Sequence, residues 1–152
     1  MPARYVHTNL VARDWERLAR FYEDVFGCVR VPPARDQSGE WLERGTGVAG
    51  AHLRGVHLRL PGHGESGPTL EIYTYDAIVA QSRPVANRAG YGHVAFAVDD
   101  VARTVEAVVA HGGERGEVVS HDVSGVGRLE FAYARDPEGN LVELQRWTRD
   151  SR

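Results

Sequence analysis

The sequence lacks several features that would assign it to common classes of protein. It has a single cysteine, Cys28, which excludes an internal disulfide framework. No apolar run approaches the roughly 20 residues of a membrane-spanning helix, and no signal-peptide core opens the chain. Basic residues are not in surplus, because 18 Lys and Arg stand against 21 Asp and Glu and the formal net charge is −3. These absences predict a cytoplasmic protein with no membrane role and no nucleic-acid partner.

The composition that remains is typical of a globular protein. Hydrophobic residues make up 42% of the 152 residues and charged residues 26%, so a sizeable core can form. Cys28 stands among apolar neighbours, which predicts a small buried side chain rather than a reactive thiol. We therefore expect a single domain over residues 1–152.

Two stretches of the chain repeat each other. One begins at Tyr5 (YVHTNLVARDW) and the other at Tyr91 (YGHVAFAVDDV); in both, His follows Tyr by two positions and Asp follows His by seven. A second pair, GPTLEIY from Gly67 and GNLVELQ from Gly139, places Glu four residues after Gly. The chain is thus predicted to contain two copies of one unit, each with a His near its beginning and a Glu near its end.

Each copy shows the same order of strand and helix patterns. Alternating apolar residues predict strands, and apolar residues at helical spacing after Asp14 predict a helix that ends at Gly27. A short strand is expected to stop at Pro32, and residues 34–47 to form a loop or irregular hairpin. The predicted class is α+β, with tandem βαβββ modules over residues 4–75 and 90–148, a linker over 76–89, and sheets that curl around a shared cavity.

The repeated histidines and glutamates form a candidate metal site. Strand alternation places them on sheet faces turned away from the predicted helices; they are His7, Glu71, His93 and Glu143. Any one alone is consistent with a solvent-facing strand position, but independent surface residues have no reason to recur at matching places. Two imidazoles and two carboxylates suit one divalent ion of Ni, Co, Zn, Fe or Mn.

Around these ligands the same alternation predicts a polar and aromatic pocket for a small-molecule substrate. The expected substrate-binding residues are Tyr5, Asn9, Tyr73, Tyr91, Gln145 and Trp147. His57 and Arg59 share a strand face that either borders this pocket or is simply exposed.

These motifs resemble the vicinal oxygen chelate superfamily, which includes glyoxalases, bleomycin resistance proteins and extradiol dioxygenases. The resemblance covers Tyr5 to about Trp147 and rests on HTNLVARDWERLARFYEDVFG, GHVAFAVDDV and DPEGNLVEL, which are similar to the two module openings and the closing turn of the family. It implies the paired βαβββ fold and a homodimer. Glyoxalase I enzymes use His, Glu, His and Glu as ligands, which implies that His7, Glu71, His93 and Glu143 bind the metal.

The resemblance also implies a type of reaction. Dioxygenases and fosfomycin-resistance thiol transferases use two His and one Glu, so the presence of Glu71 favours a glyoxalase I-like lyase or isomerase. Such an enzyme transfers a proton next to a carbonyl through an enediolate, with Glu143 as the base and Glu71 as the alternative or partner. The Arg and Asn that hold glutathione in bacterial glyoxalase I correspond to Val11 and Tyr75 here, so the substrate itself is not implied.

Two other functions remain consistent with the same residues. In an Fe(II) dioxygenase, His7, His93 and Glu143 would be the metal ligands and Glu71 only a pocket residue. In a metal-free binding protein of the bleomycin-resistance type, a drug would lie among aromatic side chains, namely Trp41, Tyr73, Tyr91 and Trp147. Metal content and oxygen uptake distinguish these alternatives from the lyase.

Overall fold

The computed structural model describes residues 2–149, and the chain divides into two units, Met1–Gln81 and Ser82–Arg152. The first unit has the elements β1 (His7–Val11), α1 (Trp15–Phe26), β2 (Val29–Ser38), α2 (Glu40–Thr46), β3 (His52–Arg59) and β4 (Thr69–Tyr75). Its four-stranded sheet has the order β1-β4-β3-β2, in which β1 and β4 are parallel and the other neighbours antiparallel. The unit boundary falls inside the predicted linker.

The second unit repeats this topology. Its elements are β5 (Val94–Ala97), α3 (Val101–Ala110), β6 (Val119–Val123), β7 (Gly127–Arg135) and β8 (Leu141–Arg149). The sheet order is β5-β8-β7-β6, again with a parallel first pair and antiparallel neighbours. The predicted tandem pair of α+β modules is therefore confirmed.

The repeat extends to the strand register. Glu71 lies opposite Asn9, and Glu143 lies opposite Ala95, so in each unit the Glu faces the residue two positions after the repeated His. On the other side, Glu71 lies opposite His57 and Glu143 opposite Tyr133. The two units thus present their glutamates from equivalent positions but surround them with different neighbours.

The repeated aspartates explain why each unit places its helix where it does. Asp14 accepts a hydrogen bond from the Arg17 backbone N–H at 3.0 Å, and Asp100 accepts one from Arg103 at 2.8 Å. Each caps the first turn of its helix, and Gly27 ends α1 in the left-handed conformation. Between residues 2 and 149, no helix has the length and apolar character needed to cross a membrane.

Each unit buries the helix against one face of its own sheet and leaves the other face for the repeated polar residues. The largest fully buried apolar side chains of the first unit are Leu18, Phe21, Tyr22, Val56, Leu58, Leu70 and Ile72. Those of the second are Val101, Val105, Val108, Val142 and Leu144. Cys28 is buried as well, and burial raises the pKa of its thiol to about 12, so it behaves as the small apolar side chain that was expected.

The expectation of a loop over residues 34–47 was wrong. Strand β2 continues to Ser38, because the pairing register with β3 shifts between Val31 and Arg35 and the prolines fall inside that shift. Residues 40–46 then form α2, whose Leu42 packs with Ala51 and Leu53 in a small apolar cluster. A single buried side chain in seven residues is too weak a periodicity to predict a helix.

An ionic cluster joins the far ends of β2, β3 and β4. Nε2 of His52 is 2.6 Å from Asp36 and Nδ1 is 2.7 Å from Asp76, which also pairs with Arg54 at 2.9 Å. The hydrogen bonds to Asp36 and Asp76 raise the pKa of His52, and the hydrogen bonds from His52 and Arg54 lower the pKa of Asp76. Only a protonated imidazole can donate to both carboxylates at once.

This cluster makes a prediction about stability and pH. Because folding raises the pKa of His52, the stabilisation that His52 contributes is complete below its unfolded pKa and is lost as the pH rises through its folded pKa. Folding lowers the pKa of Asp76, so the stabilisation that Asp76 contributes is lost on acidification. The difference in Tm between wild type and His52→Gln should be larger at about pH 5.5 than at about pH 9. His63→Gln, at an exposed turn histidine, is the control, and a difference that did not shrink at high pH would contradict the role of the imidazolium.

Candidate functional site

In the first unit, Glu71 lies at the centre of a polar cluster on the sheet face opposite the helix. Its Oε2 is 3.4 Å from His7 Nε2 and accepts a hydrogen bond from the Asn9 amide at 3.5 Å. Its Oε1 is 3.1 Å from Nε2 of His57 on the neighbouring strand. Since Glu71 is only 9% exposed, this carboxylate depends on its protein neighbours for its charge balance.

His57 connects this carboxylate to the Tyr73 hydroxyl, which lies 2.6 Å from the same Nε2. Burial raises the pKa of Tyr73 to about 12, and the charge of Glu71 acts in the same direction, so the phenol remains protonated. Burial also lowers the pKa of His57, against the opposing charge of Glu71. Nε2 of His57 either donates its hydrogen to Glu71 or accepts the hydrogen of the Tyr73 hydroxyl. The His57 tautomer therefore determines whether Glu71 receives a hydrogen bond from this ring.

The second unit places a smaller cluster at the equivalent position. His93 immediately precedes β5, and its Nε2 is 2.9 Å from Glu143 Oε2. The Tyr133 ring lies beside the imidazole, with ring centroids 4.9 Å apart. An aromatic ring thus occupies the position that His57 has in the first unit, and among residues 2–149 His93 is the one imidazole within ion-pair distance of Glu143.

The two His–Glu pairs fit the spacing of ligands around a metal ion. Donor atoms about 2.1 Å from a shared ion lie about 3.0 Å apart at a right angle and about 3.4 Å at the tetrahedral angle. The distance between the imidazole Nε2 and the carboxylate Oε2 is 3.4 Å in the pair of His7 and Glu71 and 2.9 Å in the pair of His93 and Glu143. In the described part of the chain, no group of three or more His, Cys, Asp or Glu side chains is positioned to hold a metal ion. Binding of one ion by all four residues therefore stays a prediction.

The predicted substrate-binding residues fall into three groups. Asn9 and Tyr73 belong to the Glu71 cluster. Trp147 donates its indole N–H to the Gln145 side chain at 3.1 Å, so these two lie together at the outer end of β8. Tyr5 is 63% exposed with its hydroxyl against Thr8, and Tyr91 is 99% exposed.

The strand pattern is consistent with His57 either bordering the pocket or being exposed, and the structure places it against Glu71. The alternation of β3 indicated the correct face. The decisive fact is the pairing of His57 with Glu71, which depends on the length of the turn between β3 and β4.

Comparison with known proteins agrees with this architecture. The family model described as Glyoxalase/Bleomycin resistance protein/Dioxygenase superfamily matches residues 4–144. A lactoylglutathione lyase of Haemophilus influenzae is 29% identical over 141 residues, which cover 91% of this chain and 89% of the relative. A probable lactoylglutathione lyase of Vibrio cholerae is 27% identical and covers 93% and 88%.

Solved structures show the same fold. A glyoxalase family protein from Bacillus cereus superposes with a TM-score of 0.78 at 22% identity, covering 95% of this chain and 94% of that chain. A fosfomycin resistance protein from Listeria monocytogenes superposes with a TM-score of 0.57 at 20% identity, covering 100% and 97%. With the topology repeated in both units and the family model spanning nearly the whole sequence, the chain belongs to the Glyoxalase/Bleomycin resistance protein/Dioxygenase superfamily.

Proposed function

We propose that this protein is a metal-dependent, glyoxalase I-like lyase or isomerase that transfers a proton next to the carbonyl of a small oxygen-chelating substrate through an enediolate. The observation that carries the proposal is the His–Glu pair repeated at one register position in both units. The names of relatives that match over most of their length support the same chemistry. We further propose that the protein acts in the cytoplasm as a homodimer.

The four residues that would hold one divalent ion are His7, Glu71, His93 and Glu143. When bound, an ion of this kind supplies Lewis-acid stabilisation of the negative charge that develops on the substrate oxygens. Ni, Co, Zn, Fe and Mn all accept a set of imidazoles and carboxylates. Asn9 and Tyr73, with Tyr5, Tyr91, Gln145 and Trp147, are proposed to orient the substrate.

The different surroundings of the two glutamates favour Glu143 as the base. Glu71 is held by His7, Asn9 and His57, and a carboxylate held from both sides is poorly free to move toward a substrate carbon. Glu143 has the contact with His93 and an aromatic neighbour. We propose that Glu143 removes the proton and returns it, while Glu71 remains fixed by its three partners.

Metal analysis tests the proposed site. Wild type reconstituted with Ni, Co or Zn and freed of excess metal should retain about one ion per chain, because the two pairs are proposed to act as one site. His7→Ala and His93→Ala should each lose most of it, and His63→Gln should not. Retention of half the metal in each His→Ala variant would indicate two independent sites.

Absence of metal from reconstituted wild type would favour the metal-free binding protein. Oxygen uptake with a catechol, without proton exchange next to a carbonyl, would favour the dioxygenase. The first result would reject the metal site, and the second would reject the lyase reaction but keep the metal.

A further inference from the structure

The two carboxylate oxygens of Glu71 have different partners. Oε2 faces strand β1, where it is 3.4 Å from Nε2 of His7 and 3.5 Å from the amide nitrogen of Asn9. Oε1 faces strand β3 and is 3.1 Å from Nε2 of His57. The distance to His57 lies in the usual range of an N–H···O hydrogen bond, whereas the distance to His7 is that expected between two ligands of one ion. One oxygen is thus placed for a hydrogen bond and the other for a ligand position.

His57 reaches Oε1 because of the register of the sheet. It is the partner of Glu71 in the antiparallel pairing of β3 with β4, and partners of this kind have their side chains on one face about 5 Å apart. The next pair on that face is Gly55 and Tyr73, where a Cβ on the glycine would lie 2.5 Å from the Tyr73 ring. The absence of a side chain at Gly55 therefore lets this ring lie beside His57, with its hydroxyl 2.6 Å from Nε2.

The hydrogen on Nε2 of His57 is best placed toward Glu71. An ionised carboxylate only accepts hydrogen bonds, whereas a phenol hydroxyl both donates and accepts. If Nε2 carried no hydrogen, its lone pair would face Oε1 at 3.1 Å, and water would relieve this contact little because Glu71 is only 9% exposed. With the hydrogen on Nε2, both neighbouring oxygens accept from it, and the Tyr73 hydroxyl keeps its own hydrogen for a second acceptor.

The second unit has no equivalent of this hydrogen bond. Tyr133 is the register partner of Glu143, and its ring packs beside His93 with ring centroids 4.9 Å apart. Within residues 2–149, His93 is the one side chain whose polar atom contacts the Glu143 carboxylate. The imidazole opposite the glutamate is thus a feature of one copy, and the repeat that predicts the two His–Glu pairs does not predict it.

We propose that His57 is a positioning residue for the metal site: its Nε2–H binds Oε1 of Glu71 and reserves Oε2 for the divalent ion. Hydrogen bonds to ligating carboxylates orient the ligand and strengthen metal binding. The inference rests on the proposed function, because Glu71 is there one of the four metal ligands. It also gives a physical reason why Glu71 stays fixed while Glu143 acts as the base.

Zinc affinity tests this role without any assay of activity. The full chain and its variants are titrated with zinc in competition with a chromophoric chelator. In His57→Gln the longer amide can place an N–H near the position of Nε2, whereas the amide of His57→Asn is too short to reach Oε1. We expect His57→Asn to bind zinc about 10- to 100-fold more weakly than wild type, and His57→Gln to stay within about threefold. His63→Asn, at an exposed turn histidine, is the control and should keep the wild-type affinity.

Two results of this titration would overturn the proposal. One is wild-type affinity in His57→Asn. The other is an equal loss in both variants, because a lost hydrogen bond should be restored by Gln. If His57→Asn does not fold, His57→Thr takes its place, since threonine is also too short to reach Oε1 and suits a strand.

A double-mutant cycle identifies the glutamate through which His57 acts. In Glu71→Ala the acceptor is absent, so adding His57→Asn should weaken zinc binding by no more than about twofold. In Glu143→Ala the acceptor remains, so the same addition should still weaken binding by about tenfold or more. A purely structural role of His57 would lower the affinity equally in both backgrounds, and that result would overturn the proposal.

The outcomes also separate this inference from the proposed function. If wild type binds zinc and neither His57 variant changes the affinity, the positioning role is rejected and the metal site stands. If zinc affinity depends on His57 but no proton exchange occurs next to a carbonyl, the lyase is rejected and the positioning role stands. A wild-type protein that binds no zinc would overturn both.

Discussion

Replacing Glu143 with Gln is expected to slow proton abstraction by about 10²–10⁴-fold while bound metal is largely retained. The amide has nearly the shape of the carboxylate and still offers one oxygen next to His93, but it cannot accept a proton. The measurement is solvent deuterium exchange at the carbon α to the carbonyl of a small compound that can chelate through two oxygens, with metal content determined on the same samples.

Two variants complete this experiment. His93→Ala should lose metal and exchange together, because it removes a ligand outright. Glu71→Gln should disturb the cluster of His7, Asn9 and His57 and should retain more exchange than Glu143→Gln. Normal exchange in Glu143→Gln with none in Glu71→Gln would reverse the two roles.

Gly55→Ala is expected to destabilise the first unit by about 3 kcal/mol. An added Cβ would lie 2.0 Å from the Ile72 carbonyl oxygen and 2.5 Å from Cδ1 of Tyr73. The oxygen belongs to the neighbouring strand β4 and cannot move without breaking the sheet. The ring of Tyr73 would also be displaced from the position in which its hydroxyl meets His57.

Denaturant unfolding monitored by circular dichroism measures this effect, and Gly45→Ala is the matched control. A Cβ at Gly45, in α2, would have no atom within 4 Å, and alanine favours a helix over glycine, so this variant should be neutral or slightly more stable. If the free energy of unfolding of Gly55→Ala lay within about 0.5 kcal/mol of that of wild type, the close approach of β4 to Gly55 would be contradicted.

The two His–Glu pairs could be predicted from the sequence because they are repeated. His, Asp and Glu recur at fixed positions in local strand and helix patterns, and the structure places Glu71 and Glu143 at one register position. The Asp14 cap could be predicted because a helical pattern follows it, and Asp100, which caps α3, stands at the repeated position. A sequence pattern that occurs in both copies supports the same structural prediction twice, whereas a residue that occurs in one copy has no such support.

What distinguishes the units could not be predicted in this way. His57 in one unit and Tyr133 in the other become neighbours of a glutamate only through antiparallel pairing across a turn. A strand pattern gives the face of a residue but not its partner on the neighbouring strand. The differences between the copies set the proposed roles: a fixed Glu71 in a polar network, and a Glu143 that contacts His93 and has Tyr133 as its register partner.

X-ray absorption spectroscopy of the Zn-reconstituted protein tests the central claim most directly, because it counts imidazole ligands without requiring a substrate. We predict two imidazoles bound to the ion in wild type, one from each unit, and loss of imidazole scattering or of the metal itself in both His7→Ala and His93→Ala. A zinc ion with no imidazole ligand, or a signal that is the same in wild type and both variants, would contradict the assignment of the repeated His–Glu pairs as the metal site.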